Sequence, residues 1–333
     1  MNWRELESTF IVAEIGVNHE GDLDTARDLV RKAARAGADA VKFQTYTPER
    51  YVSTEQPERL ERIRRFQLSQ QNFRDLATLA VDLGLVFFST PLHPRDADFL
   101  NDIQPIFKIS SGDLTFHELL AHVAAKGKPM ILSTGLASEG EIRAAVEVLC
   151  AARPELADNG QLMLMHCVAA YPTPEKDANL RNIAWLKGTF GLPVGYSDHT
   201  LGTKACELAV AAGAVAVEKH FTYRKEEQAF HDHAISADPA DLTRLVAAVR
   251  RAEVLLGSPV RGPVPAEESY RQNLRRSVAA SVDIPAGIPV DRGWLTFLRP
   301  AWGLPPERAN EIAGRRLKRD IPAGTLIREE DLA

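Results

Sequence analysis

Residues 193–222 read PVGYSDHTLGTKACELAVAAGAVAVEKHFT, a stretch that predicts a strand, a helix and a second strand. The strands are predicted over residues 194–197 and 214–217, with the helix over residues 203–212. In a parallel sheet with right-handed crossovers, consecutive strands place equivalent positions at the same edge. His199 and His220 follow the two strands, so we expect their side chains to lie next to each other.

Two adjacent imidazoles at a strand edge suit a divalent metal ion with open coordination positions. Imidazole is the commonest nitrogen ligand in proteins, and substrate oxygens can complete the coordination shell. The alternative is that His199 and His220 are unrelated residues that cap their strands. This segment alone leaves both interpretations open.

The composition predicts a soluble protein of the cytoplasm. A net charge of -5 provides no basic surface for nucleic acid or for an anionic membrane. The three cysteines are odd in number and lie in apolar or helical runs, which favours free thiols over a disulfide framework. No apolar run reaches the ~18 residues that a membrane span requires.

The first 257 residues repeat a short apolar run, a few polar residues and an amphipathic helix. The eight apolar runs cover residues 10–15, 40–46, 85–90, 106–110, 130–133, 162–167, 194–197 and 214–217. They lack alternating polarity, which predicts parallel strands covered on both faces. We therefore predict an α/β fold, a (β/α)8 TIM barrel with its site at the carboxyl ends of the strands. An open doubly wound sheet is the alternative, but residues 14–18 are not the glycine-rich first turn that it usually shows.

Two lysines lie inside apolar strands, where an unpaired ammonium costs several kcal/mol. Lys42 and Lys108 are therefore expected to meet an anion or a carboxylate. Small hydroxyl and glycine residues follow the neighbouring strands at 110–112 and 133–135, and such groups together with two lysines can hold a phosphate or carboxylate ligand. The alternative is that the lysines pair with Glu14 or Glu218 and that the hydroxyls cap helices.

Seven short motifs follow one another along the chain. They are Glu14-Ile15-Gly16-Val17-Asn18-His19-Glu20-Gly21, Val41-Lys42-Phe43-Gln44, Phe88-Ser89-Thr90-Pro91, Lys108-Ile109-Ser110-Ser111-Gly112-Asp113, Leu132-Ser133-Thr134-Gly135, Gly195-Tyr196-Ser197-Asp198-His199-Thr200 and Val217-Glu218-Lys219-His220-Phe221-Thr222. Together they resemble the N-acetylneuraminate (sialic acid) synthase family over nearly the whole chain. Members of that family condense phosphoenolpyruvate with an open-chain 2-acetamido sugar, which gives a nine-carbon 2-keto-3-deoxy acid and phosphate.

The resemblance also implies roles for individual residues. Glu14 resembles the catalytic carboxylate, and His199 and His220 resemble the ligands of a divalent metal, manganese in most members, with magnesium or cobalt as alternatives. Tyr171 and Asp232 resemble residues that contact the sugar. The groups that resemble the phosphoenolpyruvate site are Lys42, Thr90, Lys108, Ser111, Ser133 and Ser197.

The chain departs from the family pattern at two places. Ala169 stands where members commonly carry an asparagine, so a polar contact to the ligand is missing or replaced. The loop 229–233 lacks the usual glycine and reads Ala229-Phe230-His231-Asp232-His233. The added bulk predicts a sugar other than N-acetylmannosamine, although a packed loop explains these residues equally well.

The carboxyl-terminal part contains a short repeat after a proline-rich linker. Asp-Ile-Pro-Ala-Gly occurs at 283–287 and again at 320–324, each time inside an apolar extended segment. This part resembles the antifreeze-protein-like (SAF) domain of sialic acid synthases, which implies a barrel at 1–258, a linker at 259–274 and a SAF domain at 275–333. The resemblance further implies a domain-swapped homodimer in which Arg299 reaches the partner's sugar site. The alternative for Arg299 is a surface residue paired with Glu307 or a similar carboxylate.

Two other functions remain possible from the residues. A Schiff-base aldolase of the same barrel type would use Lys42, Lys108 or Lys219, and a non-catalytic sugar-binding protein would need none of them. The charged stretch 57–65 between the second strand and its helix has a weak apolar stripe of Leu60, Ile63 and Phe66. It predicts a solvated helix, with a lid over the site or a dimer contact as alternatives.

Overall fold

The computed structural model describes residues 1–226 and 230–333. The chain divides into two compact units, Met1–Gly257 and Ser258–Ala333. The predicted linker, 259–274, lies within the second unit and contains the helix Pro265–Leu274. None of the described helices combines the length and the apolar character needed to cross a bilayer.

Eight parallel strands, β1 to β8, form a nearly closed barrel in the first unit, as predicted. They are β1 Phe10–Gly16, β2 Ala40–Thr45, β3 Val86–Pro91, β4 Phe107–Ile109, β5 Met130–Ser133, β6 Leu162–Cys167, β7 Val194–Asp198 and β8 Ala216–His220. Their hydrogen-bonded order is β3-β2-β1-β8-β7-β6-β5-β4, and β3 lies beside β4 at the seam. There the Oε1 atom of the buried Gln104 accepts a hydrogen bond from the Ser89 N–H at 2.7 Å, so a side chain replaces a ladder bond.

Helices follow the strands around the barrel. In chain order they are Leu23–Ala36, Pro48–Tyr51, Pro57–Phe66, Gln70–Asp82, Pro94–Leu100, His117–Ala124, Glu139–Ala152, Glu155–Asp158, Arg181–Phe190, Lys204–Ala211, Asp232–Ile235 and Pro239–Leu256. Local sequence fixes several ends: Ser138 and Asp238 form capping boxes with Glu141 and Asp241. Gly37 ends the first helix with a φ of 86°, a left-handed conformation that glycine adopts without strain.

The last strand begins two residues later than predicted. It was predicted over 214–217 but spans Ala216–His220, because the preceding residues still belong to the turn that closes the helix. Gly213 has a φ of 100°, and the Ala214 N–H donates to the Ala209 carbonyl at 2.9 Å. His220 is therefore the last residue of β8, and His199 directly follows β7.

The barrel interior changes from apolar to charged along the strands. Residues two apart on a strand face the same side. The inner apolar cluster at the amino end contains Phe10, Ala40, Ile106, Ile131 and Ala216, and Trp3 packs edge-on against Phe10 with ring centroids 5.9 Å apart. Further along these same strands, at even spacing, come the polar residues Glu14, Lys42, Lys108, Ser133 and Glu218. The apolar floor thus lies directly beneath a polar cavity.

The second unit is built around the repeated sequence. Ile284 and Ile321 exchange two backbone hydrogen bonds of 2.9 Å. Asp283 accepts a hydrogen bond from an alanine N–H of the other repeat at 2.8 Å, and Asp320 does the same in return at 2.7 Å. The two copies therefore cap each other, which explains why the sequence occurs twice.

A two-stranded antiparallel sheet completes the second unit. Its strands are β9, Ser277–Ala280, and β10, Leu295–Leu298. A short helix, Ala309–Ile312, follows. Arg299 comes directly after β10 and is exposed in this unit. Its role at a partner's sugar site stays a prediction.

A buried carboxyl group outside the cavity yields a pH-dependent test of stability. Asp96 is buried in the helix Pro94–Leu100, and burial raises its pKa from 3.8 to about 6. The folded state therefore binds the proton of the Asp96 carboxyl group more tightly than the unfolded chain does. Proton binding stabilises the folded state at low pH, and this contribution is lost as the pH rises through about 6. Asp96→Asn should raise the free energy of unfolding by about 1–2 kcal/mol near pH 7.5 and by much less near pH 4. Urea unfolding at the two pH values measures this difference, and an equal gain at both would contradict the assignment.

Candidate active site

A polar cavity of about 220 Å³ opens at the carboxyl ends of the strands. Most of the predicted site residues lie around it. Those that line it are Glu14, Lys42, Thr90, Lys108, Ser111, Ser133, Tyr171, Ser197, His199 and His220. Asp232 lines a neighbouring cavity, which shares Tyr171 and His220 with the first.

Two ammonium groups and two carboxylates form a buried cluster at the base of this cavity. Lys42 Nζ lies 2.8 Å from Glu14 Oε2 and 3.8 Å from Glu218 Oε2. Lys108 Nζ donates to Glu218 Oε1 at 2.5 Å, and Ser197 Oγ donates to the same oxygen at 2.9 Å. All four charged side chains are at most 5% exposed. The lysines therefore pair with Glu14 and Glu218, which is the arrangement given as the alternative in the sequence analysis.

The cluster separates the proton affinities of its two carboxyl groups. Burial works to raise the pKa of Glu218, but Lys108 and Lys42 outweigh it and bring that pKa down to about 2. Burial prevails at Glu14, whose pKa is raised in spite of Lys42 and is raised further by Glu218. The pKa values of the two carboxyl groups are thus shifted in opposite directions, which is typical of a pair with different roles in proton transfer. Glu218 stays ionised, and Glu14 is the group suited to exchange a proton.

Hydroxyl groups and a close backbone approach form one wall of the cavity. Ser111 Oγ lies 3.0 Å from Cys167 Sγ and accepts a hydrogen bond from the Gly135 N–H at 3.1 Å. A Cβ at Gly135 would come within 2.8 Å of both atoms, so only glycine fits there. Thr90 Oγ1 is buried without a hydrogen-bond partner among the described residues. A hydroxyl in that state is available to a ligand.

The two imidazoles lie next to each other, as expected, with ring centroids 5.3 Å apart. His199 Nδ1 lies 2.8 Å from the Val168 carbonyl, which makes Nδ1 the protonated nitrogen and leaves Nε2 free. Burial lowers the pKa of His199 to about 4 and that of His220 well below its ordinary value. Both rings are therefore neutral at physiological pH. Buried His220 Nδ1 has no hydrogen bond among the described residues; its nearest carboxylate oxygen, Asp232 Oδ2, is 3.7 Å away.

Several strand-end residues have structural roles instead. Lys219 points away from the cavity and binds Asp198 Oδ2 at 2.8 Å and the Thr200 carbonyl at 2.6 Å. His233 is fully buried between Thr222 and Glu20, 2.6 and 2.9 Å away, so it belongs to the packing of its loop. Ala229 of that loop lies outside the described residues.

Residues beyond those with a predicted role also line the cavity, and they include Gln44, Tyr51, Cys167 and Glu218. The sequence already makes Gln44 and Glu218 strand-end candidates, because they have the same two-residue spacing along their strands as Lys42 and His220. Cys167 was expected only as a free thiol. Tyr51 comes from the short helix Pro48–Tyr51, for which the sequence carries no periodic signal.

The charged helix Pro57–Phe66 is not simply solvated. Leu60, Ile63 and Phe66 are buried and pack in a cluster with residues that include Val17 and Tyr46 near the cavities. The charged residues of this helix are mostly exposed, so the helix has one solvated face and one face that packs through the apolar stripe.

Comparison with known proteins decides the family. The model described as NeuB family matches residues 29–261, and the model described as SAF domain matches residues 275–333. The chain belongs to the NeuB family. The N,N'-diacetyllegionaminic acid synthase of Legionella pneumophila is 38% identical over 96% of this chain and 93% of its own length. The human N-acetylneuraminate-9-phosphate synthase is 32% identical over 96% of this chain and 92% of its own.

A solved structure supports the same assignment. The N-acetylneuraminic acid synthetase of Leptospira borgpetersenii, determined in complex with citrate, is 36% identical, with a TM-score of 0.75 over 80% of this chain and 93% of that chain. Relatives named for different acidic products, a diacetyllegionaminic acid and N-acetylneuraminate 9-phosphate, thus resemble this chain in sequence over nearly their whole length, and the sialic acid synthetase shares its fold.

The buried cluster predicts a large penalty for losing one partner. Glu218→Gln should lower the free energy of unfolding by about 3 kcal/mol, because the Lys108 ammonium stays buried without its carboxylate. Adding Lys108→Met should recover part of that loss. The matched control is Glu139→Gln, which breaks an exposed pair with Arg143 and should cost less than about 1 kcal/mol. Denaturant unfolding of the native protein, Glu218→Gln, Lys108→Met, the double variant and the control measures the coupling, and strictly additive effects of the two single changes would show that Glu218 and Lys108 do not interact.

Proposed function

We propose that this protein is a metal-dependent nonulosonic acid synthase. It joins phosphoenolpyruvate to the aldehyde of an open-chain N-acetylated hexosamine-type sugar and releases phosphate. The observation that carries the proposal is the position of the neutral pair His199 and His220 on the same cavity as the buried cluster of Lys42 and Lys108. Family membership and the names of the relatives support the same reaction class.

The lysines and hydroxyls bind the anionic substrate. Phosphoenolpyruvate carries a carboxylate and a phosphate, and ammonium groups in a low-dielectric cavity bind such groups more strongly than they do in water. Glu14 and Glu218 neutralise Lys42 and Lys108 in the cluster. When the substrate binds, the two lysines therefore exchange protein carboxylates for the anionic groups of the substrate. Thr90 Oγ1, which has no hydrogen-bond partner among the described residues, adds a donor.

The donor set fits a divalent cation. Two neutral imidazoles are the right chemical form, and an unpartnered Nδ1 on His220 is available. Among the described residues no group of three or more His, Cys, Asp and Glu side chains forms a full metal shell, so water and substrate oxygens would complete it. Held by His199 and His220, the cation would supply Lewis-acid polarisation of the sugar aldehyde.

Glu14 handles the proton of the second half of the reaction. Carbon C3 of phosphoenolpyruvate uses its π electron pair to form the bond to the aldehyde carbon, which leaves C2 electron-deficient. The C=O electron pair of the aldehyde moves to its oxygen, which takes up a proton and becomes a hydroxyl. Water adds to C2 and gives up one proton, and the resulting C2 hydroxyl loses its other proton as the C2–O bond to phosphate breaks, which leaves the keto group and free phosphate. Glu14 has a raised pKa and lies on the cavity wall, which suits a carboxylate that takes the proton from this water.

Phosphate release tests the reaction directly. The purified protein, phosphoenolpyruvate and Mn²⁺ should release phosphate when a 2-acetamido or 2,4-diacetamido hexose is added, with and without a 6-phosphate across the panel. Glu14→Gln should lose at least about a hundredfold in turnover, since general acid–base groups contribute roughly 10²–10⁴. Absence of release with every sugar, or near-normal turnover of Glu14→Gln, would overturn the corresponding claim. Borohydride trapping of pyruvate on Lys42 or Lys108 would instead favour the aldolase.

Metal binding has a readout independent of turnover. Calorimetric titration with Mn²⁺ should give one site per chain in the native protein, weakened at least about tenfold by His199→Ala and by His220→Ala. His117→Ala, at an exposed histidine, is the matched control and should bind as the native protein does. Unchanged affinity in both site variants would place the metal elsewhere.

A further inference from the structure

A second cavity of about 250 Å³ adjoins the first in the barrel unit. The residues that line both cavities, Gln44, Tyr51, Tyr171 and His220, form the junction between them. Beyond this junction the second cavity is aromatic and cationic. Its other lining residues are Val17, Tyr46, Arg59, Arg62, Ile63, Phe66, Phe230, His231 and Asp232. A molecule whose reacting end lies at His220 can therefore place its far end in the second cavity.

The two arginines that line this cavity come from one helix and, unlike a neighbouring arginine of that helix, have no carboxylate partner among the described residues. On the helix Pro57–Phe66, Arg64 pairs with Glu49 at 2.9 Å and lies outside the cavity. Arg59 and Arg62 line the cavity, and neither has a carboxylate partner within ion-pair distance among the described residues. Arg59 binds uncharged groups, including the Tyr51 hydroxyl at 3.3 Å.

Arg62 is positioned for recognition by aromatic packing. Its guanidinium lies over the ring of Phe230, 5.9 Å from the centroid, and Phe230 in turn packs edge-on against Phe66 at 5.3 Å. Arg62 is half-buried and has no hydrogen bond or ion pair among the described residues. A guanidinium held on an aromatic face keeps its planar set of N–H donors free for an oxygen-bearing group.

We propose that Arg62 is a specificity-determining residue that binds an oxygen-bearing substituent of the acceptor sugar at the end far from the aldehyde. This inference rests on the proposed function and identifies a residue that distinguishes one acceptor sugar from another. Two substituents share the required chemistry, a phosphate monoester and the carbonyl of a second acetamido group. The phosphate would use the charge of the guanidinium as well as its N–H groups, whereas the carbonyl would use the N–H groups alone.

Steady-state kinetics of the full-length protein separate these cases. The variants are Arg62→Ala, Arg62→Lys and, as matched control, Arg65→Ala, at an exposed arginine of the same helix outside the cavity. Arg62→Ala should raise the KM for the acceptor about tenfold or more and leave the KM for phosphoenolpyruvate unchanged. Arg65→Ala should change neither. Circular dichroism and thermal unfolding check that each variant is folded. If Arg62→Ala is not folded, the comparison uses Arg62→Lys, which keeps the positive charge but loses the planar guanidinium.

The acceptor panel identifies the substituent. If Arg62 binds a phosphate, Arg62→Ala acts on 6-phosphorylated acceptors, and Arg62→Lys restores part of the affinity. If it binds an amide carbonyl, the loss appears with 2,4-diacetamido acceptors, and lysine restores little. An unchanged acceptor KM in a native-like Arg62→Ala, or an equal rise in both KM values, overturns the inference while the proposed function stands. A native protein inactive with every acceptor refutes the proposed function and this inference with it.

Discussion

The pairing of two ammonium groups with two carboxylates inside the barrel is the constraint on which the site depends. Lys42 and Lys108 lie directly above an apolar floor, where an isolated charge would cost several kcal/mol. Glu14 and Glu218 satisfy them within 2.8 Å, and the cluster carries no net formal charge. A barrel can be filled with apolar side chains at no such risk, and a buried ion pair adds little net stability over an apolar one. We interpret the cluster as a feature of function rather than of folding.

The cluster also explains how one cavity can hold both an anion and a proton-transfer group. Burial prevails over the lysines at Glu14, whereas Lys108 and Lys42 outweigh burial at Glu218, so the pKa values of the two neighbouring carboxyl groups shift in opposite directions. In the proposed function, an incoming anionic substrate would compete with Glu218 for Lys108, and it would add negative charge to a neutral cluster. In the proposed reaction, the cation held by His199 and His220 offsets that charge. Substrate and metal are thus expected to favour each other's binding.

Sequence alone predicted the barrel and most of the cavity, for a geometric reason. Parallel strands with right-handed crossovers bring their carboxyl ends to one face, so residues such as Lys42, His199 and His220 were placed together without knowledge of any distance. The pairing was harder: Lys108 on β4 meets Glu218 on β8 across the barrel, 110 positions along the chain. No local pattern encodes such a contact, and the sequence predicted the pairing of the lysines with Glu14 or Glu218 only as an alternative to ligand binding.

The remaining gap lies in the segment between β2 and β3, which supplies Tyr51 and Arg62 to the cavities. Its charged residues follow no strand, and a single-sequence pattern reads them as solvent-exposed. Most of them are exposed, but three apolar side chains anchor the helix Pro57–Phe66, and Arg62 is half-buried on Phe230. In the proposed function, the strand ends hold phosphoenolpyruvate and cannot change freely. A helix anchored by only one apolar stripe can change its other residues at little cost in stability. In a family whose members are named for different sugar products, acceptor recognition is therefore better placed on such a segment than on the strands themselves.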